Sequence, residues 1–265
     1  MKPQRPKIAI VRGGGDLATG VIYRLWSTGH KILSLEIEKP LVVRRAVSAA
    51  NAVFDGSCMV EDMYVNKINS LEEFYQNNNV SIFVDPHGNS IEKLSPDVLV
   101  DCIMAKYNTG TDINMAPLVV GIGPGFTAQK DVHYVVETKR GHTLGRLISN
   151  GTAIPNTGVP GMEMGYTIER LLRSPSEGFL KPIKEIGDHV EIGDLIATVN
   201  GFPVTAKIKG VLRGLIHPSV RLSKGLKIGD VDPRGVSEHC FTITDKALAI
   251  GGAVLEAVLK KQQES

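Results

Sequence analysis

The sequence predicts an α/β domain, then a small all-β module, then one closing helix, and three observations carry that expectation. Ile8-Ala9-Ile10-Val11 is a buried-strand pattern that runs straight into glycines and a helical repeat. Short apolar runs of the same kind recur as far as Leu118–Ile122, separated by helical or turn-rich stretches. From Gly178 onward the texture changes to short β runs punctuated by glycine. Strands alternating with helices argue for a mostly parallel sheet, and closely spaced short strands for a sandwich or barrel. The expected boundaries are 1–175 for the α/β domain, 176–235 for the β module and 236–265 for a helix packing back on the first domain.

At the start, Leu17, Ala18, Val21, Ile22, Leu25 and Trp26 follow the glycines at helical spacing. Gly29 stops that helix, and Lys31 to Ile37 reads as the next strand. Gly13-x-Gly15-x-x-Ala18 fits the dinucleotide pattern that admits alanine at its third position, so the first domain is expected to be Rossmann-like. The first glycine permits the tight turn and the second lets a pyrophosphate approach the backbone. A small third residue lets helix and strand pack closely, and the helix start offers N–H donors to the anion. Arg12, Gly13, Gly14, Gly15, Asp16, Thr19 and Gly20 are therefore the candidate cofactor-binding residues. Asp16 repels a phosphate unless a cation intervenes, a role open to Arg12. Glu36, at the end of the next strand, is placed to accept both ribose hydroxyls. Pro40 fits a helix start from which Arg44 and Arg45 project. Arg44 joins the set as a reader of an extra phosphate, although a solvated helix face explains the pair equally well.

Further along, Val80–Val84 and Val98–Ile103 read as strands. Asp85 and His87 stand after the first and Lys106 after the second, where open α/β sheets border their ligands; ordinary loop chemistry explains them too. After the Leu118–Ile122 strand, Gly123 and Gly125 flank a proline in a stripped-down loop, a turn or a surface for a flat ligand. The densest polar stretch runs from Asp131 to His142. Strand alternation sends His133, Val135 and Glu137 to one face, with Arg140 and His142 after a short turn. His133, Glu137, Arg140 and His142 are the candidate catalytic residues, able to supply acid, base and oxyanion clamp. They could also give two nitrogens and an oxygen to a metal, but their spacing matches no zinc motif and no metal ligand is assigned; a polar sheet edge with satisfied histidines explains them too. Asn150 to Gly161 is rich enough in turn formers to be a long binding loop, and a helix is expected from about Glu163 to Arg173.

In the C-terminal half, Ile186 to Leu212 and a looser copy at Val220 to Val231 resemble the flattened barrel of biotinyl and lipoyl carrier domains over about 50 residues. The carriers' modifiable lysine is missing, and Asn200-Gly201-Phe202-Pro203 occupies that hairpin turn. Docking or dimerisation suits the barrel-sandwich module better than a swinging arm. The last helix, capped by Thr244, would show Leu248, Gly251, Gly252, Leu255 and Leu259 on one face and bring Asp245 and Lys246 near the cleft. Cys240, just before it, is a small buried residue or a reactive thiol.

Composition narrows the function. Thirty basic residues against 28 acidic leave a net charge of +2, too little for a dedicated nucleic-acid partner. No apolar run reaches bilayer length, and Met1 to Lys7 lacks the apolar segment of a signal peptide. Cys58, Cys102 and Cys240 lie far apart, which suits a reducing compartment. A cytoplasmic protein without a membrane partner is expected.

Several stretches, in order, resemble the YqeB-type family of selenium-dependent molybdenum hydroxylase system proteins. They are Arg12 to Gly20, Glu36-x-Glu38-Lys39-Pro40 with Arg44-Arg45, Gly123 to Phe126, Asp131-Val132-His133 with Glu137 to His142, and Cys240 to Lys246. The resemblance implies a cytosolic accessory protein that helps mature a molybdenum hydroxylase. Its partners would be that enzyme or its cofactor-handling proteins, and its ligand a nucleotide or a nucleotide-bearing molybdenum cofactor. An NAD(P)-dependent oxidoreductase needs the same loop and acid, and a non-catalytic docking protein needs neither. A homodimer is expected on general grounds.

Overall fold

A computed structural model describes residues 6–158 and 161–264. Most of the Met1–Lys7 segment and Val159–Pro160 of the turn-rich stretch lie outside the described residues. The chain divides into two units, one of Met1–Glu38, Ala49–Asn156 and Ile243–Ser265, the other of Lys39–Ser48 and Thr157–Thr242.

The first unit contains strands β1 (Ile8–Arg12), β2 (Lys31–Glu36), β3 (Ser57–Val60), β4 (Met63–Ile68), β5 (Val80–Val84), β6 (Val98–Asp101), β7 (Leu118–Ile122), β8 (Thr127–Ala128), β9 (Tyr134–Val136), β10 (Leu147–Ile148) and β11 (Gly151–Thr152). Its helices are α1 (Asp16–Ser27), α2 (Ala52–Asp55), α3 (Leu71–Gln76), α4 (Asn89–Leu94) and α5 (Asp245–Gln263). Nine strands form one sheet in the order β10-β9-β7-β6-β1-β2-β5-β4-β3, while β8 and β11 pair separately. From β4 to β9 neighbouring strands are parallel; β3 and β10 close the two edges antiparallel. Every residue of β1, β6 and β7 is buried, which is why these strands read as unbroken apolar runs.

The expectation of a Rossmann-like domain followed in series by a biotinyl/lipoyl-like module is overturned by this architecture. The large sheet is mixed, and its β6-to-β7 connection passes through one short 3-10 turn, Ile113–Met115, while β7 reaches β9 through β8. A doubly wound domain covers such parallel crossovers with helices. The reason lies in residues 102–117, whose glycine, asparagine, aspartate and proline cannot sustain one. The helix that packs over β7, β9 and β10 is α5, from the far end of the chain.

Helix α5 also packs on α1. A Cβ at Gly20 would collide with the Ala247 backbone, and one at Gly251 with the Gly20 carbonyl, so the helices cross at their glycines. The buried face of α5 is Ala247, Ile250, Gly251, Val254, Ala257 and Val258. It is rotated from the expected Leu248–Leu255–Leu259 face, and Leu259 is half exposed.

The second unit holds two four-stranded antiparallel sheets. One is ordered β12 (Leu171–Arg173), β19 (Lys227–Asp232), β17 (Gly210–Leu215) and β14 (His189–Val190). The other is ordered β16 (Phe202–Thr205), β15 (Leu195–Val199), β13 (Gly178–Pro182) and β18 (Arg221–Leu222). These half-barrels are not a self-contained carrier-type barrel-sandwich module, because they recruit chain assigned to the first domain. Strand β12 comes from the stretch expected to be helical. Ahead of it, Glu163 and Tyr166 exchange backbone hydrogen bonds across a turn with Met164 and Gly165 at φ 50° and 86°, a two-residue hairpin turn. Residues 40–44 likewise form no helix, and only Arg45–Val47 makes a 3-10 turn.

Among the described residues, no helix is long and apolar enough to cross a membrane.

At the start of β2 the buried His30 places Nδ1 3.1 Å from the Leu25 carbonyl, which fixes Nδ1 as the protonated nitrogen, and its buried Nε2 meets no hydrogen-bond partner. A second proton there would be an unsatisfied donor. Burial, first, lowers the His30 pKa below its ordinary 6.5. The folded form therefore binds fewer protons than the unfolded one. His30 adds full stability above pH 6.5, lost as the pH falls through the lower folded value. Urea denaturation at a series of pH values is expected to show that acid-side loss, reduced in His30→Gln. An unchanged slope in the variant would assign the loss elsewhere.

Candidate functional site

Strand β1 ends at Arg12, which donates from Nη1 to the Asp101 carboxylate and to the Thr111 hydroxyl; all three side chains are buried. Arg12 thus ties β1 to β6 from within. Gly13 follows at φ +94°, and a Cβ there would stand 2.9 Å from the Cys102 carbonyl, so the loop admits only glycine. The Gly14 N–H donates to Glu36 Oε1 at 2.8 Å, and the Ile37 N–H to Glu36 Oε2 at 2.9 Å. Burial raises the Glu36 pKa against these two bonds. Glu36 closes the glycine turn itself and does not stand open for a ribose. Gly14 is covered by Ala50, whose N–H donates to its carbonyl at 2.8 Å. The Thr19 hydroxyl joins Gly15 O to Ala49 N–H, and Gly20 faces α5. Of the expected loop ligands, Gly15 and Asp16 are partly exposed. Gly15 is the N-cap of α1 and supplies no side chain to cap it.

The second glycine loop packs against two others. Gly123, at φ +77°, donates to the Val136 carbonyl, and a Cβ there would lie 2.9 Å from Thr138 Oγ1 and 3.4 Å from Met104. Gly125, at φ +118°, lies so close to the Lys106–Tyr107 backbone that a Cβ would approach within 2.8 Å. Met104 and Lys106 themselves hold φ 61° and 70°. Two non-glycine residues in the left-handed region make this a strained loop of the kind found at binding sites.

The middle segment divides. His133 stands before β9 and accepts the Val119 N–H on Nδ1 at 3.0 Å. Burial, then Lys261 near the end of α5, lowers its pKa. Glu137 stands at the other end of β9, about 13 Å along the strand at 3.3 Å per residue. Its buried carboxylate accepts from Thr138, Lys139 and Ile154 N–H groups, so Glu137 pins the following turn. On that turn Arg140 makes a two-bond pair with Asp245, at 3.0 and 3.3 Å. His142 is exposed and lines an open concavity of about 310 Å³ with Thr143, Leu144, Gly145, Arg146, Leu147 and Glu256. Alternation alone therefore does not bring His133, Glu137, Arg140 and His142 together.

What the fold does gather is the carboxyl edge of β1, β6, β7 and β9. Lys246, half buried in the first turn of α5, interacts electrostatically with Asp16, Glu137, Arg140 and Asp245. Burial first, then Arg140, holds its pKa below 10.5 against the three acids. Thr138 and the Lys106–Tyr107 backbone pack on the second glycine loop; Thr138 and Tyr107 do not stand out in the sequence, because loop packing alone brings them there.

The remaining candidates lie elsewhere. Arg44 Nη2 donates to the His239 carbonyl at 3.0 Å, and Arg45 Nε to the Leu215 carbonyl at 2.8 Å, both within the second unit. Asp85 caps α4 through Asn89 and Ser90; burial opposes its charge, but these bonds outweigh burial and lower its pKa. His87 is exposed beside it. Burial raises the thiol pKa of Cys240, and of Cys58 to about 11, so neither is a thiolate near neutral pH. Among the described residues no cluster of three His, Cys, Asp or Glu is placed to hold a metal.

Sequence reading missed a buried charge network in the second unit. Arg213, set opposite β19 by a bulge in β17, pairs with Asp230 and Asp232, while Arg170 pairs with Asp230 and Arg234 with Asp232. Two acids at alternate positions of an apolar strand were its signal.

No family model matches the chain. Similar solved structures include an aspartoacylase family protein from Mesorhizobium loti (12% identity, 86% of this chain and 85% of that one, TM-score 0.27). A succinylglutamate desuccinylase from Silicibacter sp. TM1040 is another (14%, 85% and 84%, TM-score 0.26). At such TM-scores neither carries an argument about fold or chemistry here. In sequence, the chain is 43% identical over 265 residues, 98% of its length, to the Escherichia coli (strain K12) protein described as "Uncharacterized protein YqeB". That match takes in 49% of the relative, so the chain spans about half the length of the curated relative. Across the half that it spans, the protein belongs to the YqeB-type family.

Proposed function

We propose that this protein holds a small phosphate-bearing ligand, a nucleotide or a nucleotide-bearing cofactor, at the carboxyl edge of the large sheet. It does so as a cytoplasmic accessory protein in the maturation of a selenium-dependent molybdenum hydroxylase, with that enzyme or its cofactor-handling proteins as partners. One observation carries the binding half: the start of α1, without a side-chain cap, lies in the same electrostatic neighbourhood as Lys246 and Arg140. Uncapped N–H groups and cations together suit an oxyanion. The pathway half rests on the sequence resemblance carried by the ordered motifs from Arg12 to Lys246.

The oxidoreductase alternative is disfavoured, because it needs Glu36 for a ribose while that carboxylate accepts from Gly14 and Ile37. The docking alternative has one observation in its favour. Met162, Met164, Tyr166 and Ile168 are 40–69% exposed around the 164–165 turn, an apolar cluster suited to a partner.

Thermal denaturation with NAD, NADP, ATP, CTP, GTP, S-adenosylmethionine and isolated molybdopterin cofactor tests the ligand reading. A ligand at about 100 times its dissociation constant stabilises by about 2.7 kcal/mol. At least one phosphate-bearing member is expected to raise the melting temperature, and Gly15→Val to abolish the shift. If the whole panel leaves a well-folded protein unmoved, the glycine turn is structural and the docking reading takes over.

A further inference from the structure

We infer that Ser219 is a nucleophile, with His217 as its base and Lys39 as a cation beside it. The substrate class is an ester or thioester of a small carboxylic acid, which the three side chains hydrolyse. All three belong to the second unit and none to the ligand edge described above.

Strand β17 ends at Leu215, and the chain turns through His217, Pro218 and Ser219 between two buried residues, Ile216 and Val220. The Val220 N–H closes the turn on the His217 carbonyl at 3.1 Å, and Pro218 stiffens it. Lys39 reaches this turn from 180 residues away. Its segment is fastened to the same stretch, because Arg45 Nε donates to the Leu215 carbonyl at 2.8 Å. Gly214 lets that segment approach: a Cβ there would stand 2.8 Å from Val43. His217 and Ser219 are partly exposed and Lys39 is exposed, so a solute can reach all three.

The hydrogen bonds settle who donates. The Ser219 N–H reaches His217 Nδ1 at 3.2 Å, and a backbone N–H can only donate. Nδ1 therefore holds a lone pair, and the ring carries its proton on Nε2. The Ser219 hydroxyl lies 2.8 Å from the same Nδ1 and must donate to it. Lys39 Nζ donates to the hydroxyl oxygen at 3.3 Å. A histidine kept only to close the turn would need the backbone bond alone. Here the hydroxyl takes that nitrogen at the shorter distance, and a cation from far along the chain takes the oxygen. That is the arrangement of an activated hydroxyl.

In the step, Ser219 Oγ attacks the carbonyl carbon, the C=O π pair moves to oxygen and the hydroxyl proton passes to Nδ1. Once protonated, Nδ1 no longer accepts the Ser219 N–H, which is released to donate to the new oxyanion beside Lys39. The oxyanion pair then re-forms C=O, and the bond to the leaving alcohol or thiol breaks as that group takes the proton from Nδ1. Water repeats the sequence on the acyl-serine, frees the acid and restores the hydroxyl. No oxidant or reductant enters.

The test is covalent labelling of the whole chain with an alkyl fluorophosphonate, which bonds phosphorus to a nucleophilic serine and expels fluoride, followed by mass-spectrometric mapping. Ser219 is expected to be labelled in preference to Ser223, which is exposed on the same stretch. His217→Gln should slow that labelling about a hundredfold or more. Its amide oxygen can still accept the Ser219 N–H, so the turn is kept while the base is lost. p-Nitrophenyl acetate should be turned over by the unaltered protein above the Ser219→Ala background. Equal labelling of Ser219 and Ser223, or labelling of Ser219 that survives His217→Gln, overturns the nucleophile. A labelled Ser219 without ester turnover overturns the hydrolysis.

Discussion

Gly251→Ala is expected to destabilise the first unit by about 2–4 kcal/mol, while the same change one residue later stabilises it. Alanine is the better helix former, by about 1 kcal/mol over glycine, so propensity alone predicts a gain at both positions. Packing separates them. At Gly251 the added methyl group enters the Gly20 carbonyl and crowds Arg24 Cγ, so α5 must move off α1 or distort. At Gly252 nothing lies within 4 Å, and alanine should stabilise by about 0.5–1 kcal/mol. Gly20→Ala should repeat the Gly251 loss from the other side, because its Cβ meets the Ala247 backbone. Chemical denaturation of the three variants provides the measurement. If Gly251→Ala and Gly252→Ala shift the midpoint in the same direction, the two helices do not cross at Gly20 and Gly251.

These glycines also show what the sequence made legible. The notch in the last helix was visible as two adjacent glycines in an apolar repeat, though only Gly251 serves a close approach and Gly252 faces open space. Its partner was not, because Gly20 also fits a phosphate-binding loop and the sequence offers no way to divide the two roles. The glycine turn after β1 has the same ambiguity. Its tight approach to Cys102 demands glycine whether or not a phosphate is near, so one pattern serves a bare turn and a binding loop alike. Glu36 was found at the right place for the wrong reason, since its oxygens go to the backbone of the very loop it was expected to assist. Among the polar middle residues, alternation carries no information about which end of β9 each group occupies, and His133 and Glu137 stand just outside the two ends of that strand. Two expected helices are absent: at Met164 and Gly165 the backbone takes φ 50° and 86°, which no right-handed helix admits, and the β-branched Val42 and Val43 behind Pro40 are poor helix formers. The first turn of the last helix, with Lys246 in it, was legible because Thr244 caps it. The lysine's character depends on Asp16, Glu137 and Arg140, which meet it only in three dimensions.

The second large effect is expected at Asp230, where alanine should cost about 3–5 kcal/mol because it leaves buried Arg170 without its carboxylate and buried Arg213 with Asp232 alone. Asp230 is 1% exposed and pairs with Arg170 through one oxygen and with Arg213 through the other. Arg213 is 7% exposed; burial opposes its charge, yet Asp230 and Asp232 outweigh that and raise its pKa. Removing the guanidinium too should recover part of the loss, so Arg213→Met in the Asp230→Ala background should be more stable than Asp230→Ala alone. A double-mutant cycle reads the coupling directly. Acid should reach the same network through Asp232. Burial opposes its ionisation, but Arg234 and Arg213 lower its pKa from 3.8 to about 2. The contribution of Asp232 is therefore complete above pH 3.8 and disappears as the pH falls toward 2. In Asp232→Asn that limb of the stability curve should be gone while the rest of the acid response remains. A wild-type and variant curve that run parallel through that range would mean the arginines find solvent when the carboxylate is lost, and the second unit would then owe its cohesion to the apolar faces of its sheets.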